Sequence, residues 1–190
     1  MRINPVTAQL NSDQKLNKQA HHVFVFLEVF AQEGGIQSYV QDILNAYAGL
    51  NNKCNAEVFL LRDSAENSNT LVSENLKFHY FHNQSPQIGR LKMAGALFKF
   101  IWQKRPQQVF CGHIKLAVLI KIICQPLGIP YTVLTYGKEV WQPLKHSEKQ
   151  ALASANAIWT ISRYSRDRAF WYRSLSTAFT TTAFPPVITL

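Results

Sequence analysis

Val23-Phe-Val-Phe-Leu-Glu-Val-Phe-Ala-Gln-Glu-Gly-Gly-Ile-Gln-Ser-Tyr-Val-Gln-Asp-Ile-Leu-Asn-Ala-Tyr-Ala-Gly-Leu50 decides how the rest of the chain is read. Its first five residues, 23–27, are an unbroken apolar run of β-branched and aromatic side chains, which suits a strand covered on both faces, as in a parallel sheet. Beyond Gly34 and Gly35, apolar residues recur at Ile36, Tyr39, Val40, Ile43, Leu44 and Tyr47, a helical stripe that stops at Gly49. The glycine pair therefore lies at the start of a helix. Free backbone N–H groups and the positive end of the helix dipole meet there, and the missing side chains admit a ligand close to the backbone. A tight turn is the simpler account of two glycines taken alone, and a phosphate or sugar hydroxyl docked on them is the alternative.

Strand and helix patterns alternate along the remaining chain. Strands are predicted at 56–61, 76–81, 108–111, 131–135 and 157–161, and helices at 88–105, 114–127, 143–155 and 162–170. This order predicts an α/β fold, a three-layer Rossmann-like parallel sheet with helices on both faces, the first strand central and ligands at the carboxyl ends of the strands. Residues 1–20 are polar, rich in Asn and Gln, and lack the apolar centre of a signal peptide, so a loose tail is expected. Residues 174–190, rich in Ser and Thr, show no helical period and are expected to be irregular.

The chain has 190 residues, enough to bury one core without disulfide staples. Its formal net charge is +9, all of it from the second part: residues 1–80 hold six Lys or Arg against eight Asp or Glu, and residues 81–190 hold fourteen against three. Such asymmetry suits an anionic membrane, a polyanion or a phosphorylated ligand. Nucleic acid is not indicated, because the basic charge comes without a recognisable reading motif. Cys54, Cys111 and Cys124 lack Cys-x-x-Cys spacing and read as reduced thiols in a cytosolic protein. The histidines are scattered, so no metal site is expected. The longest apolar run, 116–124, is interrupted by Lys121 and falls short of the roughly 20 residues that cross a bilayer.

Four features fall at predicted strand-to-helix junctions, and hence on one edge of the sheet: Glu33-Gly34-Gly35, Gly112-His113, Tyr136-Gly137-Lys138-Glu139 and Ser162-Arg163. The order of an apolar strand, Gly-Gly-Ile-x-x-Tyr-Val, a strand ending in His, Gly-Ile-Pro, Tyr-Gly-Lys-Glu-Val-Trp and Ala-x-Ala-Ile-Trp-Thr-Ile-Ser resembles the N-terminal domain of retaining glycosyltransferases of the family 4 type. These have the GT-B architecture, two Rossmann-like domains facing across a cleft. The resemblance implies that residues 21–173 form the acceptor-binding domain, that the acceptor is a glycan or a lipid-linked sugar, and that a nucleotide sugar is the donor substrate, with no further cofactor. It implies that Gly34 and Gly35 face the donor diphosphate and reacting sugar. His113 would sit near the anomeric carbon, its imidazole or neighbouring carbonyl orienting the acceptor hydroxyl and accepting its proton. Glu139 would contact acceptor hydroxyls. Tyr136 stands where the family usually has His, and a phenol donates a hydrogen bond but is no base near neutral pH. Ser162 and Arg163 match a Ser-x motif, with a helix-capping serine as the equal alternative.

The helix at 88–105 is expected to pack on the sheet through Ile88, Leu91, Ala94, Phe98, Ile101 and Trp102. Met93, Leu97 and Phe100 lie off that stripe among Arg90, Lys92, Lys99, Lys104 and Arg105. The resemblance implies membrane contact for such a domain, here through Arg90, Lys92 and Lys99, and a cytoplasmic protein peripheral to the inner face of the membrane. The family's second glycine-rich loop, diphosphate-binding cation and paired-Glu motif are not found after the sixth predicted strand. The expectation is an acceptor half, inactive unless a C-terminal GT-B domain is supplied in trans, whose residues 174–190 are a truncated or frame-disrupted ending. Two alternatives stand beside it. One is a non-catalytic membrane- or glycan-binding module using the basic helix. The other is a dinucleotide-dependent oxidoreductase, disfavoured because Gly-x-Gly-x-x-Gly is absent and no acidic residue closes the second strand.

Overall fold

β1 (Ala20–Phe26) is the middle of the molecule because both of its faces are buried. Val23 and Val25 are fully covered on one side of the sheet, and Phe24 and Phe26, at most 2% exposed, on the other. The computed structural model describes residues 20–50, 54–67, 71, 73–164, 167 and 187–189. In chain order these form β1, α1 (Gly35–Ala48), β2 (Cys54–Leu60), β3 (Leu76–Tyr80), α2 (Pro86–Lys104), β4 (Gln108–Cys111), α3 (Ile114–Cys124), β5 (Tyr131–Thr135), α4 (Lys138–Trp141), α5 (His146–Ala153), β6 (Ala157–Thr160) and β7 (Val187–Thr189).

The strands form one sheet in the order β3-β2-β1-β4-β5-β6-β7, every neighbouring pair parallel. α1 covers Phe24 and Phe26 through Val40, Leu44 and Tyr47. On the opposite face α2, α3 and α5 cover Val23 and Val25 with Met93, Leu97, Ile101, Ile120 and Leu152. The three-layer parallel α/β fold is thus present as the alternating pattern predicts. Parallel strands send every strand-to-helix loop to one rim, where the predicted site residues fall.

Three boundaries differ from the sequence reading. Ala20 pairs with Cys54 as part of β1 and does not belong to the tail; residues 1–19 lie outside the described residues. The helix predicted at 143–155 is shortened to α5, His146–Ala153, and α4, Lys138–Trp141, is a separate short helix before it that was not predicted, with Pro143 in the break, since proline fixes its own φ and has no N–H to donate. Val187–Thr189, expected to be irregular, pairs with β6 as a seventh strand; the rest of 174–190 lies outside the described residues.

α2 packs through a face turned away from most of the predicted stripe, with Ile101 common to both. Gly89, Met93, Leu97 and Ile101 are buried, while Ile88 is 48%, Leu91 75%, Phe98 49% and Trp102 56% exposed. Both stripes are apolar, and Gly89 decides between them. A Cβ on Gly89 would lie 2.7 Å from the carbonyl oxygen of Phe81, so the helix can approach the end of β3 only along its glycine side.

The loop between β1 and α1 is held by a residue far away in sequence. Asp63, fully buried just beyond β2, accepts hydrogen bonds from the backbone N–H groups of Val29 (2.7 Å), Phe30 (2.8 Å) and Ala31 (2.6 Å). Three donors satisfy a carboxylate that would otherwise be costly to bury, and the carboxylate in turn satisfies three N–H groups outside any strand or helix. Around it, Gln41 Nε2 donates to the Val29 carbonyl at 2.9 Å, and Arg62 pairs with Glu28 at 3.2 Å. Asp63→Ala orphans three N–H groups at about 1–3 kcal/mol each, so a loss of about 3 kcal/mol or more in unfolding free energy is expected. Urea denaturation measures it against exposed Glu66→Ala, for which less than about 0.5 kcal/mol is expected; equal effects of the two substitutions contradict the assignment.

Candidate functional site

The rim above β1 begins with the open end of α1. Gly34 is its N-cap residue, with φ 175° and ψ 163°, and no side chain hydrogen-bonds into the first turn, which carries no acidic residue. Residues 31–36 are exposed. Neither glycine is demanded by the backbone: the Gly34 backbone is extended, and only Gly128 and Gly137 among the described glycines have positive φ. A Cβ on Gly35 would meet nothing within 4 Å, and one on Gly34 would meet only the movable end of Gln37. The tight-turn account of this pair therefore fails. What remains is a helix N-terminus left bare, its N–H groups and dipole facing out.

His113 reaches the same rim because Gly112 lets the chain pass over Phe26. A Cβ on Gly112 would lie 2.0 Å from the Phe26 ring, and the Gly112 N–H is held by the Val25 carbonyl at 2.8 Å. His113 is the N-cap of α3, its Nδ1 accepting the Lys115 N–H at 3.0 Å. That bond requires a lone pair on Nδ1, so the neutral ring carries its hydrogen on Nε2 and presents a donor. The His113 carbonyl is engaged as well, by the Leu116 N–H at 2.9 Å and the Cys111 S–H at 3.2 Å. With the ring Nδ1 and the carbonyl both accepting hydrogen bonds within the chain, Nε2–H is the group that His113 presents to the rim. Burial, more than the opposing charge of Glu139, holds the imidazole below its ordinary pKa and keeps it neutral.

The β5 junction separates its two candidates. Tyr136 is 7% exposed and packs edge-on against Tyr39 at 6.1 Å, its hydroxyl buried with no protein partner. Desolvation pushes its pKa well above the ordinary phenol range. It lies in the buried layer beneath the rim, 7% exposed, next to Tyr39. Glu139 is half-buried, accepts the Tyr136 N–H and is close enough for its charge to bear on His113. Gly137, at φ 142°, is a glycine the chain does need, since it opens α4 in a conformation other residues avoid. Beyond β6, Ser162 is half-buried and Arg163 exposed.

Two hollows adjoin this rim, and the sequence reading missed both. One, about 570 Å³, lies between α2 and α3 and is walled by Leu27, Leu91, Met93 and Leu119, with Arg62, Arg90 and Lys115 among its lining. The other, about 460 Å³, is lined by Glu28, Gln32, His82 and Asn83 and shares Leu61, Arg62 and Arg90 with the first. It borders the loop that leads to Gly34. Among the described residues, no group of three His, Cys, Asp or Glu could hold a metal ion.

No family model matches the chain, and no curated protein matches it. Solved structures do. The lipopolysaccharide outer core galactosyltransferase WaaB aligns over 80% of this chain at TM-score 0.57 and 11% identity. HepE of Anabaena, solved in complex with UDP and glucose, aligns over 90% at TM-score 0.58 and 16% identity. The sucrose-phosphate synthase of Thermosynechococcus elongatus aligns over 90% at TM-score 0.63 and 11% identity. The fold is one Rossmann-like half of a GT-B architecture.

The chain spans 42% to 48% of the length of these three GT-B glycosyltransferases. At such identity the likeness establishes the scaffold, which UDP-N-acetylglucosamine 2-epimerases share as well. In this GT-B half, burial lowers the pKa of His21, His22 and His113 alike from the ordinary 6.5. The unfolded chain therefore binds more protons than the folded one as pH falls through 6.5 towards the lowered values, and stability that is complete above 6.5 is lost below it. Urea unfolding is expected to give a smaller free energy at pH 5.5 than at pH 7.5. His113→Asn, which retains a capping side chain, is expected to narrow that difference. A protein more stable at the lower pH contradicts the burial argument.

Proposed function

We propose that this chain is the acceptor-binding half of a glycosyltransferase of the retaining, family 4 type, working with a donor-binding GT-B domain that supplies the nucleotide sugar. The observation that carries the reading is the bare N-terminus of α1. Two glycines that the fold does not require leave its N–H groups open on the ligand-binding rim of a GT-B half. HepE, on the same scaffold, binds UDP and glucose.

In the reaction the acceptor oxygen bonds to the anomeric carbon as the bond from that carbon to the diphosphate breaks. Negative charge grows on the departing diphosphate, and the end of α1 opposes it with N–H groups and the positive dipole. His113 donates through Nε2–H to an oxygen of the reacting sugar or the acceptor and thereby orients it. The proton of the acceptor hydroxyl goes to the departing diphosphate oxygen, since His113 presents a donor. Glu139, its carboxylate steadied by the Tyr136 N–H, accepts from an acceptor hydroxyl. Ser162 and Arg163 make the further contacts.

A second observation favours membrane attachment, either alongside this activity or as the chain's whole role. The outward face of α2 carries Ile88, Leu91, Phe98 and Trp102, with Arg90, Lys92, Lys99 and Arg105 beside them, all exposed. That arrangement supports a helix lying in the headgroups of an anionic inner leaflet. No described helix is long and apolar enough to cross a membrane.

Two experiments test these readings. Fused to the donor-binding half of HepE and given UDP-glucose, the chain is expected to release UDP when acceptor is present. Gly35→Ala is expected to slow that release at least about tenfold, roughly 1.4 kcal/mol of transition-state stabilisation, with an unchanged unfolding midpoint. Release unaffected by Gly35→Ala contradicts the role of α1. Phe98→Ser with Trp102→Ser is expected to abolish cosedimentation with phosphatidylglycerol vesicles, and full retention contradicts the membrane reading.

A further inference from the structure

At the end of the sheet away from the rim, β1 opens with two consecutive histidines. Side chains alternate along a strand, so His21 and His22 lie on opposite faces of the sheet. His21 is on the α2 side, its ring 5.5 Å from that of Phe100, and its Nε2 is buried without a partner among the described residues. His22 is on the α1 side, edge-on to the rings of Tyr47 and Phe110 at 5.7 and 5.9 Å, with Nδ1 2.8 Å from the Tyr47 hydroxyl. That hydroxyl donates to the Asn55 carbonyl at 3.1 Å, so its oxygen accepts the His22 Nδ1–H.

We propose that the two rings form an acid-released latch: below neutral pH, Ala20–His22 detach from β2 and β4 while the rest of β1 and the rim stay in place.

Both histidines fit their places as neutral rings. A charged His21 would put a cationic N–H at the buried Nε2, where nothing accepts it. The carboxylate whose charge reaches it, Glu57 of β2, already accepts from Nε2 of His79 on β3, and Lys104 at the end of α2 adds a like charge. On the other face the groups that bear on His22 are His21 and the Tyr47 hydroxyl, itself beside Cys54. Burial accordingly holds both imidazoles below the ordinary 6.5. Detached, both return to that value, so the detached state binds more protons and gains population as pH falls through 6.5 towards the lowered values; above 6.5 the latch stays shut. Ala20, His21 and His22 are half-buried whereas Val23–Phe26 are buried, so the strand opens most easily at its first three residues. The latch lies at the opposite end of the strands from Gly34 and His113, and it stands whether or not the chain handles sugars.

Amide hydrogen exchange of the 190-residue chain reads the latch through two bonds of the same strand. The Gln107 N–H donates to the His21 carbonyl at 2.9 Å, and the Gly112 N–H to the Val25 carbonyl at 2.8 Å. Between pH 7.5 and 5.5 the protection factor of Gln107 is expected to fall at least about tenfold. At pH 5.5 it is expected to be indifferent to about 1 M urea, which lowers that of Gly112, because a local opening exposes little surface. His113→Asn leaves the fall at Gln107 unchanged, since that ring is not freed by the opening. His21→Phe with His22→Asn, which keeps the ring contact with Phe100 and a donor for Tyr47, removes it. Two single variants test the electrostatics without disturbing the packing. Glu57→Gln still accepts from His79 and is expected to widen the fall, because the Glu57 charge favours a proton on folded His21; exposed Lys104→Gln is expected to narrow it, for the opposite reason.

Gln107 protection indifferent to pH overturns the latch, and so does a fall that persists in the double variant. Gln107 and Gly112 losing protection together, with the same response to urea, is unfolding of the whole chain and overturns it as well. Should the double variant not fold, Glu57→Gln and Lys104→Gln decide: equal falls in both contradict a titrating His21.

Discussion

A single buried carboxylate sets the geometry of the rim. Asp63 gathers the N–H groups of Val29, Phe30 and Ala31, and so fixes the path by which the chain leaves β1 and enters α1. Without it the seven residues between Phe26 and Gly34 would have no regular hydrogen-bonding partner of comparable strength. The position of the bare α1 terminus, the wall formed by Glu28 and Gln32, and the place of Arg62 at the joint of the two hollows all follow from that clamp. Function is built on a loop, but the loop is made rigid by the scaffold beneath it.

The two faces of the sheet divide the work. On the α1 side the packing is largely aromatic, with Phe26, Tyr47 and Phe110 around Phe24 and Trp159 against Phe110, and Tyr136 belongs to that layer. On the other side the layer is mainly aliphatic, with Phe59, Phe81 and Phe100 in ring contact, and the apolar hollow is lined from α2 and α3 at the rim. Glycines mark the tightest approaches: Gly112 over Phe26 and Gly89 against Phe81. Those two glycines are architectural, whereas Gly34 and Gly35 are not.

The frame was legible in the sequence because parallel strands buried on both faces read as continuous apolar runs. β4 and β5 lie where that pattern puts them, and β1 is central as Val23–Phe26 suggests. The side chains of the rim were harder to read. The clamp of Asp63 spans 32 to 34 residues of separation, and no local pattern encodes it. The tautomer of His113 follows from a backbone N–H two residues on, so the group it presents to the rim is legible only with that bond. α2 offered two apolar stripes, and only the contact of Gly89 with the end of β3 chose between them. β7 is three residues long and takes its order from pairing with β6, which periodicity cannot show.

The central claim is that α1 presents an uncapped N-terminus to a diphosphate. Backbone amide NMR of the chain paired with a donor-binding half, titrated with UDP-glucose, tests it most directly. The account predicts that the Gly35 and Ile36 amide resonances move downfield with the same saturation curve as the His113 ring. Saturable binding that leaves those amides unmoved would contradict it.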